Sequence, residues 1–204
     1  VYLHGIKDYS DMAAHLESHP TMRAVVNFVP VLLEQLDDYV GQLEALLTQG
    51  RATQDPMLNL LAGSEPIPAD PAQRLRIIHD CQRAHAPRMI QPHAAFARLL
   101  ELAGNGEKAA EGDAVARWQL GYLSEQYFLD LATWYHLAWL GQSLAREALP
   151  QRLMAQEKDF GDADRRALLD LIQRTLAGLV PRYRALAERG QIELSMTPWG
   201  HPIV

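Results

Sequence analysis

The chain has 204 residues, of which 48% are hydrophobic and 22% charged, and its formal net charge is −6. These proportions are typical of a globular protein and exclude extensive disorder, and at this length a single domain is the default expectation. The acidic balance argues against nucleic acid as a partner, because that affinity comes largely from cations that neutralise phosphates. No apolar run reaches the ~18 residues of a membrane-spanning helix, so no membrane partner is expected.

The first residues, Val1 to Gly5, contain neither an initiating Met nor a basic leader-like stretch. We therefore expect the chain to be a segment of a longer protein. The single cysteine, Cys81, cannot form an internal disulfide, so the fold does not depend on an oxidising compartment. A cytoplasmic location is expected.

The first quarter of the chain predicts a helix, a strand and a second helix. Apolar residues at helical spacing predict a helix over Lys7–His19, which Pro20 ends. The β-branched run near Arg23–Phe28 predicts a buried strand. A Leu-rich stripe then predicts a helix over Val31–Leu47, with Gly50 as its C-terminal stop. Its apolar positions are Leu32, Leu33, Leu36, Tyr39, Val40, Leu43, Leu46 and Leu47.

The middle of the chain, residues 48–160, predicts a long helical insertion. Residues 50–70 are rich in Gly and Pro and predict a loop with one helical turn at Met57–Leu61. The small and charged residues of Gly104–Gly112 predict a flexible connection. Three further helices are expected, at Pro71–Ala84, at Pro92–Ala103, and from Ala114 or Gly121 to Leu140.

The last quarter predicts a long helix and a second strand. Asp162 is a good N-cap for a helix that extends to Glu188, and Pro181 inside it is expected to produce a kink. Alternating polar and apolar residues over Gln191–Ser195 predict a strand parallel and adjacent to the first, because a helical crossover joins parallel neighbours. Two strands cannot form a stable sheet alone. The chain is therefore either a helical domain with a small sheet or part of a larger barrel.

Polar and aromatic residues gather where the two strands end. Functional groups of parallel α/β folds lie at the carboxyl ends of strands. Those ends carry Asn27 after the first strand, and Ser195, Thr197, Trp199 and His201 after the second. Such a set suits a carbohydrate, since rings stack on sugar faces and polar groups bind hydroxyls. His201 can equally be an ordinary loop histidine.

Two other kinds of function are compatible with particular segments. His15 and His19 are one helical turn apart and could share a metal ion, although Leu16 replaces the Glu of the zincin pattern. The Leu-rich face over Leu32–Leu47 could bind a partner in a non-enzymatic helical module. By contrast, His79 and Cys81 face different sides of a helix, which makes a shared metal improbable.

Four stretches together are similar to glycoside hydrolase family 57, the family of α-amylase-like, amylopullulanase-like and 4-α-glucanotransferase-like enzymes. They follow one another in the family's order and at its approximate spacing, over essentially the whole chain. The strings are LHGIKDYSDM from Leu3, NFVPVLLEQLDDY from Asn27, WYHLAW from Trp134 and GQIELSMTPWGHPI from Gly190.

The resemblance implies a retaining hydrolase or transglycosylase of α-glucans, with α-glucan or maltooligosaccharide as the partner and no cofactor or metal. It implies an α/β parent fold, an incomplete seven-stranded TIM-like barrel of which this predominantly α-helical chain with two short parallel strands is the N-terminal part. Family matching assigns His201, Glu193 and His4 as pocket or substrate contacts, beside the strand-end candidates Trp199 and Asn27. Glu193 can equally be an outward-facing strand carboxylate.

The same resemblance puts the catalytic Glu and Asp beyond this chain, so we expect these 204 residues to be inactive alone. No catalytic residue is therefore assigned within them. Two strands leave open sheet edges, and self-association through such an edge is expected.

Overall fold

The structure is a computed structural model that describes residues 1–104 and 114–199. The described residues are predominantly helical, with two short strands. The helices are α1 (Tyr2–His4), α2 (Ser10–Ser18), α3 (Pro30–Gln49), α4 (Pro56–Ala62), α5 (Pro71–Cys81), α6 (Ala94–Leu102), α7 (Ala114–Gly121), α8 (Glu125–Ala138), α9 (Gln142–Ala145), α10 (Ala148–Gln156) and α11 (Asp162–Glu188). Two π-helical turns lie at Gly5–Tyr9 and Ala86–Ile90, and the strands are β1 (Ala24–Phe28) and β2 (Ile192–Met196). None of the helices in this described part is long and apolar enough to cross a membrane.

The two strands pair parallel and next to each other, as the sequence predicts. The register aligns Ala24 with Ile192 and Phe28 with Met196. Hydrogen bonds extend the ladder at both ends, from the Ala24 N–H to the Gln191 carbonyl and from the Thr197 N–H to the Phe28 carbonyl. The prediction of a fully buried first strand is wrong, because burial along β1 alternates and only one face of the sheet packs against helices.

Residue contacts divide the chain into two compact units. Unit 1 comprises residues 1–54, 140–147 and the described residues from 168 onward. Unit 2 comprises the described residues of 55–139 and Ala148–Ala167.

Unit 1 has a core between the sheet, α2 and α11. Side chains from all three elements pack together there, namely those of Ala13, Leu16, Val26, Tyr183, Leu186 and Ile192. The Tyr183 hydroxyl donates to the carbonyl of Tyr9, and Arg182 forms two hydrogen bonds with the Glu17 carboxylate. The hydrogen bonds join α11 to the first helical stretch, and the apolar contacts hold one face of the sheet on these helices.

Unit 2 is built around α8, every residue of which from Tyr127 to Ala138 is buried. A helix that is apolar nearly all round is stable only when it is surrounded by other elements. Its buried polar side chains are satisfied: the Thr133 hydroxyl donates to the Leu129 carbonyl, and His136 Nδ1 contacts the Ala132 carbonyl at 2.7 Å. The aromatic-rich part of the insertion from Tyr127 to Ala138 is therefore core, whereas Leu99 and Leu100 are half-buried and Leu102 is exposed.

Several helix boundaries differ from the predicted ones for local reasons. The first helical stretch begins at Tyr2 rather than Lys7 and includes a π-helical turn, and Met12 within it is exposed. The predicted helix that ends near Leu140 is interrupted before α8, because Ser124 caps α8 by accepting a hydrogen bond from the Tyr127 N–H. The predicted linker Gly104–Gly112 lies outside the described residues apart from Gly104.

Other boundaries agree closely with the prediction. Helix α3 ends at Gly50, which has φ 68°, a left-handed conformation that glycine tolerates best. Helix α11 spans the predicted residues and contains Pro181. Asp162 is its first helical residue rather than its N-cap, because the Gly161 carbonyl accepts the hydrogen bond from the Arg165 N–H. The helical turn predicted at Met57–Leu61 is two full turns long, because Asp55 accepts hydrogen bonds from two N–H groups at its start.

Candidate functional site

The face of the sheet opposite the unit 1 core carries the polar strand residues that are candidates for a binding site. Side chains alternate along a strand, and register partners in a parallel pair lie on the same face. Val26 and Ile192 are on the core face, so Asn27, Glu193 and Ser195 are on the opposite face. All three are exposed. The structure thus brings two predicted site residues, Asn27 and Glu193, onto one surface.

Within this surface the residues form two neighbouring register pairs. Asn27 lies beside Ser195, and Glu193 lies beside Val25, whose side chain is 69% exposed. The amide and hydroxyl groups both donate and accept hydrogen bonds, whereas the carboxylate accepts them. A surface with this combination can bind the vicinal hydroxyls of a sugar.

The carboxyl end of β2 adds a hydroxyl and an indole to the same end of the sheet. The Thr197 N–H bonds to the Phe28 carbonyl and so continues the ladder by one residue. The Thr197 hydroxyl oxygen is buried and has no hydrogen-bond partner among the described residues. Trp199 follows two residues later with its side chain exposed.

The remaining predicted contacts are not brought to this surface. His4 lies on α1, where its ring nitrogen is 2.6 Å from the Asp8 carboxylate. Partial burial raises the pKa of Asp8, but the hydrogen bonds from Lys7 and His4 outweigh it, and the pKa lies below its usual value. His201 lies outside the described residues.

Glu193 is the one carboxylate that the two strands place on the exposed face, because the other residues of both strands are not acidic. Retaining glycosidic chemistry needs two carboxyl groups roughly 5–5.5 Å apart. The described strands therefore supply groups that can bind a sugar but not a catalytic pair.

The histidines and aromatic residues outside this surface are held in structural contacts. Within residues 1–104 and 114–199, no three His, Cys, Asp or Glu side chains are arranged to hold a metal ion. The His19 ring bonds to the His15 carbonyl at 2.9 Å. Of the aromatic residues between 122 and 135, Tyr127, Phe128, Trp134 and Tyr135 are buried, whereas Tyr122 is exposed and its ring is tilted against that of Trp118.

An apolar groove of about 580 Å³ lies beside β2 on the core face of the sheet. Its apolar lining includes Phe28, Leu33, Tyr183, Ala187, Leu194 and Met196. Residue pattern alone does not predict this groove. The alternation of apolar and polar residues over 192–196 could have indicated the groove, since it places three apolar side chains on one face of an edge strand.

Comparisons with protein-family models, with curated proteins and with solved structures give no significant match to this chain.

Proposed function

We propose that this chain is part of a carbohydrate-active enzyme that hydrolyses or transfers α-glucan chains with retention of configuration, on a TIM-like barrel of the kind found in glycoside hydrolase family 57. The exposed polar face of the sheet carries this proposal. In a barrel, such a face lines the interior, where side chains of neighbouring strands meet. Asn27, Glu193 and Ser195 would then line this interior, with Asn27 and Ser195 nearest the carboxyl ends of the strands, where barrel pockets lie.

The chemistry of these groups suits binding rather than bond cleavage. The Glu193 carboxylate can accept hydrogen bonds from two sugar hydroxyls, while the Asn27 amide and the Ser195 hydroxyl can satisfy neighbouring ones. Trp199, at the end of the same strand, can stack on the apolar face of a glucose ring. The nucleophile and the general acid would come from other segments of the parent enzyme, as the family resemblance implies.

The rival functions receive less support from the side-chain environments. On α3, Leu36, Leu43 and Leu46 are buried in unit 1, so much of the Leu-rich face already has an intramolecular partner. The His15 and His19 pair lacks a third ligand among the described residues. Neither observation favours a helical interaction module or a metal-binding protein.

Titration of the isotopically labelled chain with maltoheptaose, followed by NMR, tests the proposal. We expect amide shift changes centred on Asn27, Glu193 and Ser195. Glu193→Gln removes the charged acceptor and should weaken binding about tenfold. Glu34→Gln, an exposed carboxylate on α3, is the matched control and should bind as the parent chain does. Shift changes elsewhere, or equal binding of cellohexaose, would count against the proposed site or the proposed α-linkage.

A further inference from the structure

The outer edge of β2 has unpaired backbone groups. The hydrogen bonds from Ala24 to Gln191 and from Thr197 to Phe28 show that the odd-numbered residues of this segment direct their backbone groups towards β1. The N–H and C=O groups of Ile192, Leu194 and Met196 therefore point the other way. No strand among the described residues pairs with this edge.

The same three residues direct their side chains to the core face, and two of those side chains are incompletely covered. Leu194 is 51% exposed and Met196 is 66% exposed, whereas Ile192 is buried. Both exposed side chains line the apolar groove. An apolar edge strand with free hydrogen-bonding groups is the usual template for pairing with another strand.

Two opposite charges flank the groove. Arg184 and Glu188 lie one turn apart on α11, and both line it. Neither side chain forms a hydrogen bond or ion pair with another residue in the described part of the chain. A surface that carries one unpaired cation and one unpaired anion is complementary to itself after a twofold rotation, because each charge can then meet its opposite.

In the barrel proposed above, the β2 edge would pair with a further strand of the parent enzyme. We propose that in the 204-residue chain it binds a second copy through an antiparallel β2–β2 pair across a twofold axis. With Leu194 at the axis, Ile192 of each copy lies opposite Met196 of the other. All three residues direct their backbone groups outward, so every one of these pairs exchanges hydrogen bonds. The result is a four-stranded sheet whose apolar strip is continuous across the axis.

This register also satisfies the charged groups. Glu193 lies opposite Ser195 of the second copy on the other face, so no like charges oppose each other there. Arg184 of each copy faces Glu188 of the other across the groove. The β1 edge offers no equivalent arrangement, because its outward groups belong to Val25 and Asn27, whose side chains lie on the polar face.

Light scattering and sedimentation over a concentration series of the 204-residue chain test the proposal. We expect a monomer–dimer equilibrium. L194K should abolish the dimer, because it places two ammonium groups, one from each copy, next to each other at the twofold axis. V25K, a substitution of a still more exposed apolar residue of the other strand, should leave the equilibrium unchanged.

Charge reversal separates the proposed contact from a general loss of solubility or folding. R184E alone should raise the dimer dissociation constant about tenfold or more, because two anions then face each other across the axis. R184E combined with E188R should restore the dissociation constant of the parent chain. A chain that is monomeric at every concentration, a dimer that survives L194K, or a double variant as weak as R184E would overturn the proposal. None of these results depends on glucan binding.

Discussion

Asp11 and Ser143 are joined by two hydrogen bonds, although they lie 132 residues apart in the chain. One Asp11 oxygen accepts from the Ser143 N–H at 2.9 Å and from the Ser143 hydroxyl at 2.5 Å. The other oxygen accepts from the Gln142 N–H at 2.6 Å. Asp11 on α2 thus caps the first N–H groups of α9, a role that an N-cap residue of the same helix usually has.

This cap leaves no space for a side chain at Gly141. A Cβ there would lie 2.6 Å from an Asp11 carboxylate oxygen and 2.7 Å from the Lys7 carbonyl. Gly141→Ala should therefore lower the free energy of unfolding by about 2 kcal/mol, as overpacking does. Urea denaturation measures this change in the free energy of unfolding.

Gly178 is the matched control because it lies within α11 with no atom near its Cβ position. Gly178→Ala should raise the free energy of unfolding by up to about 1 kcal/mol through helix propensity. Equal effects of the two substitutions would show that the contact with Asp11 is not tight.

Asp130 holds the loop between α10 and α11 in unit 2. Its buried carboxylate accepts hydrogen bonds from the backbone N–H groups of Asp159 and Phe160, both at 2.9 Å, and from the Gln126 amide at 2.7 Å. Asp159 has φ 59°, an uncommon conformation for a residue other than glycine. Asp130→Ala should therefore lower the free energy of unfolding by about 3 kcal/mol, measured by urea denaturation.

An exposed aspartate provides the comparison for that substitution. Asp80 pairs with Arg83 at 3.4 Å in solvent, and such pairs contribute little. Asp80→Ala should change the free energy of unfolding by less than about 0.5 kcal/mol. A similarly small change for Asp130→Ala would mean that the loop is held by other contacts.

Acid should destabilise the fold through His136. Complete burial lowers its pKa from 6.5 to about 4, outweighing the bond to the Ala132 carbonyl and the charge of Asp55, which raise it. The unfolded chain therefore binds the proton more readily, and the free energy of unfolding falls as the pH falls from 6.5 towards 4.

His136→Asn removes this titration and retains an amide that can donate to the Ala132 carbonyl. Urea denaturation at several pH values between 7 and 4 should then show a shallower pH dependence than in the parent chain. Burial also lowers the pKa of the half-buried His93, so some dependence remains. If the free energy of unfolding of His136→Asn depends on pH as steeply as that of the parent chain, His136 is not the cause of the acid destabilisation.

The 204-residue chain should not cleave glycosidic bonds. The exposed sheet face has one carboxylate, Glu193, and retaining chemistry needs a second at about 5–5.5 Å. Assays of amylase and transglycosylase activity on soluble starch should show no turnover above that of Glu193→Gln. Turnover that Glu193→Gln abolishes would show that a catalytic pair exists within the chain.

Local pattern predicted where most of the helices and both strands lie, but not the burial of β1. The Leu stripe and Gly50 predicted α3 closely, and the alternation over residues 191–195 predicted β2, because helical and strand periodicities are properties of neighbouring residues. The parallel pairing also followed, since a helical crossover leaves few other arrangements. Asn27 is predicted as a site residue from its place at the end of the first strand, and Glu193 from the family resemblance.

Long-range packing decided what local pattern could not. Met12 has the helical spacing of a core residue and is exposed, whereas Asp11, with nothing in its neighbourhood to mark it, caps a helix from a distant part of the chain. Only the register put Asn27 and Glu193 on one face and left Leu194 and Met196 on a free edge. Such outcomes depend on which elements meet in space, and that depends on the free energy of the whole packed structure rather than on any one window of sequence.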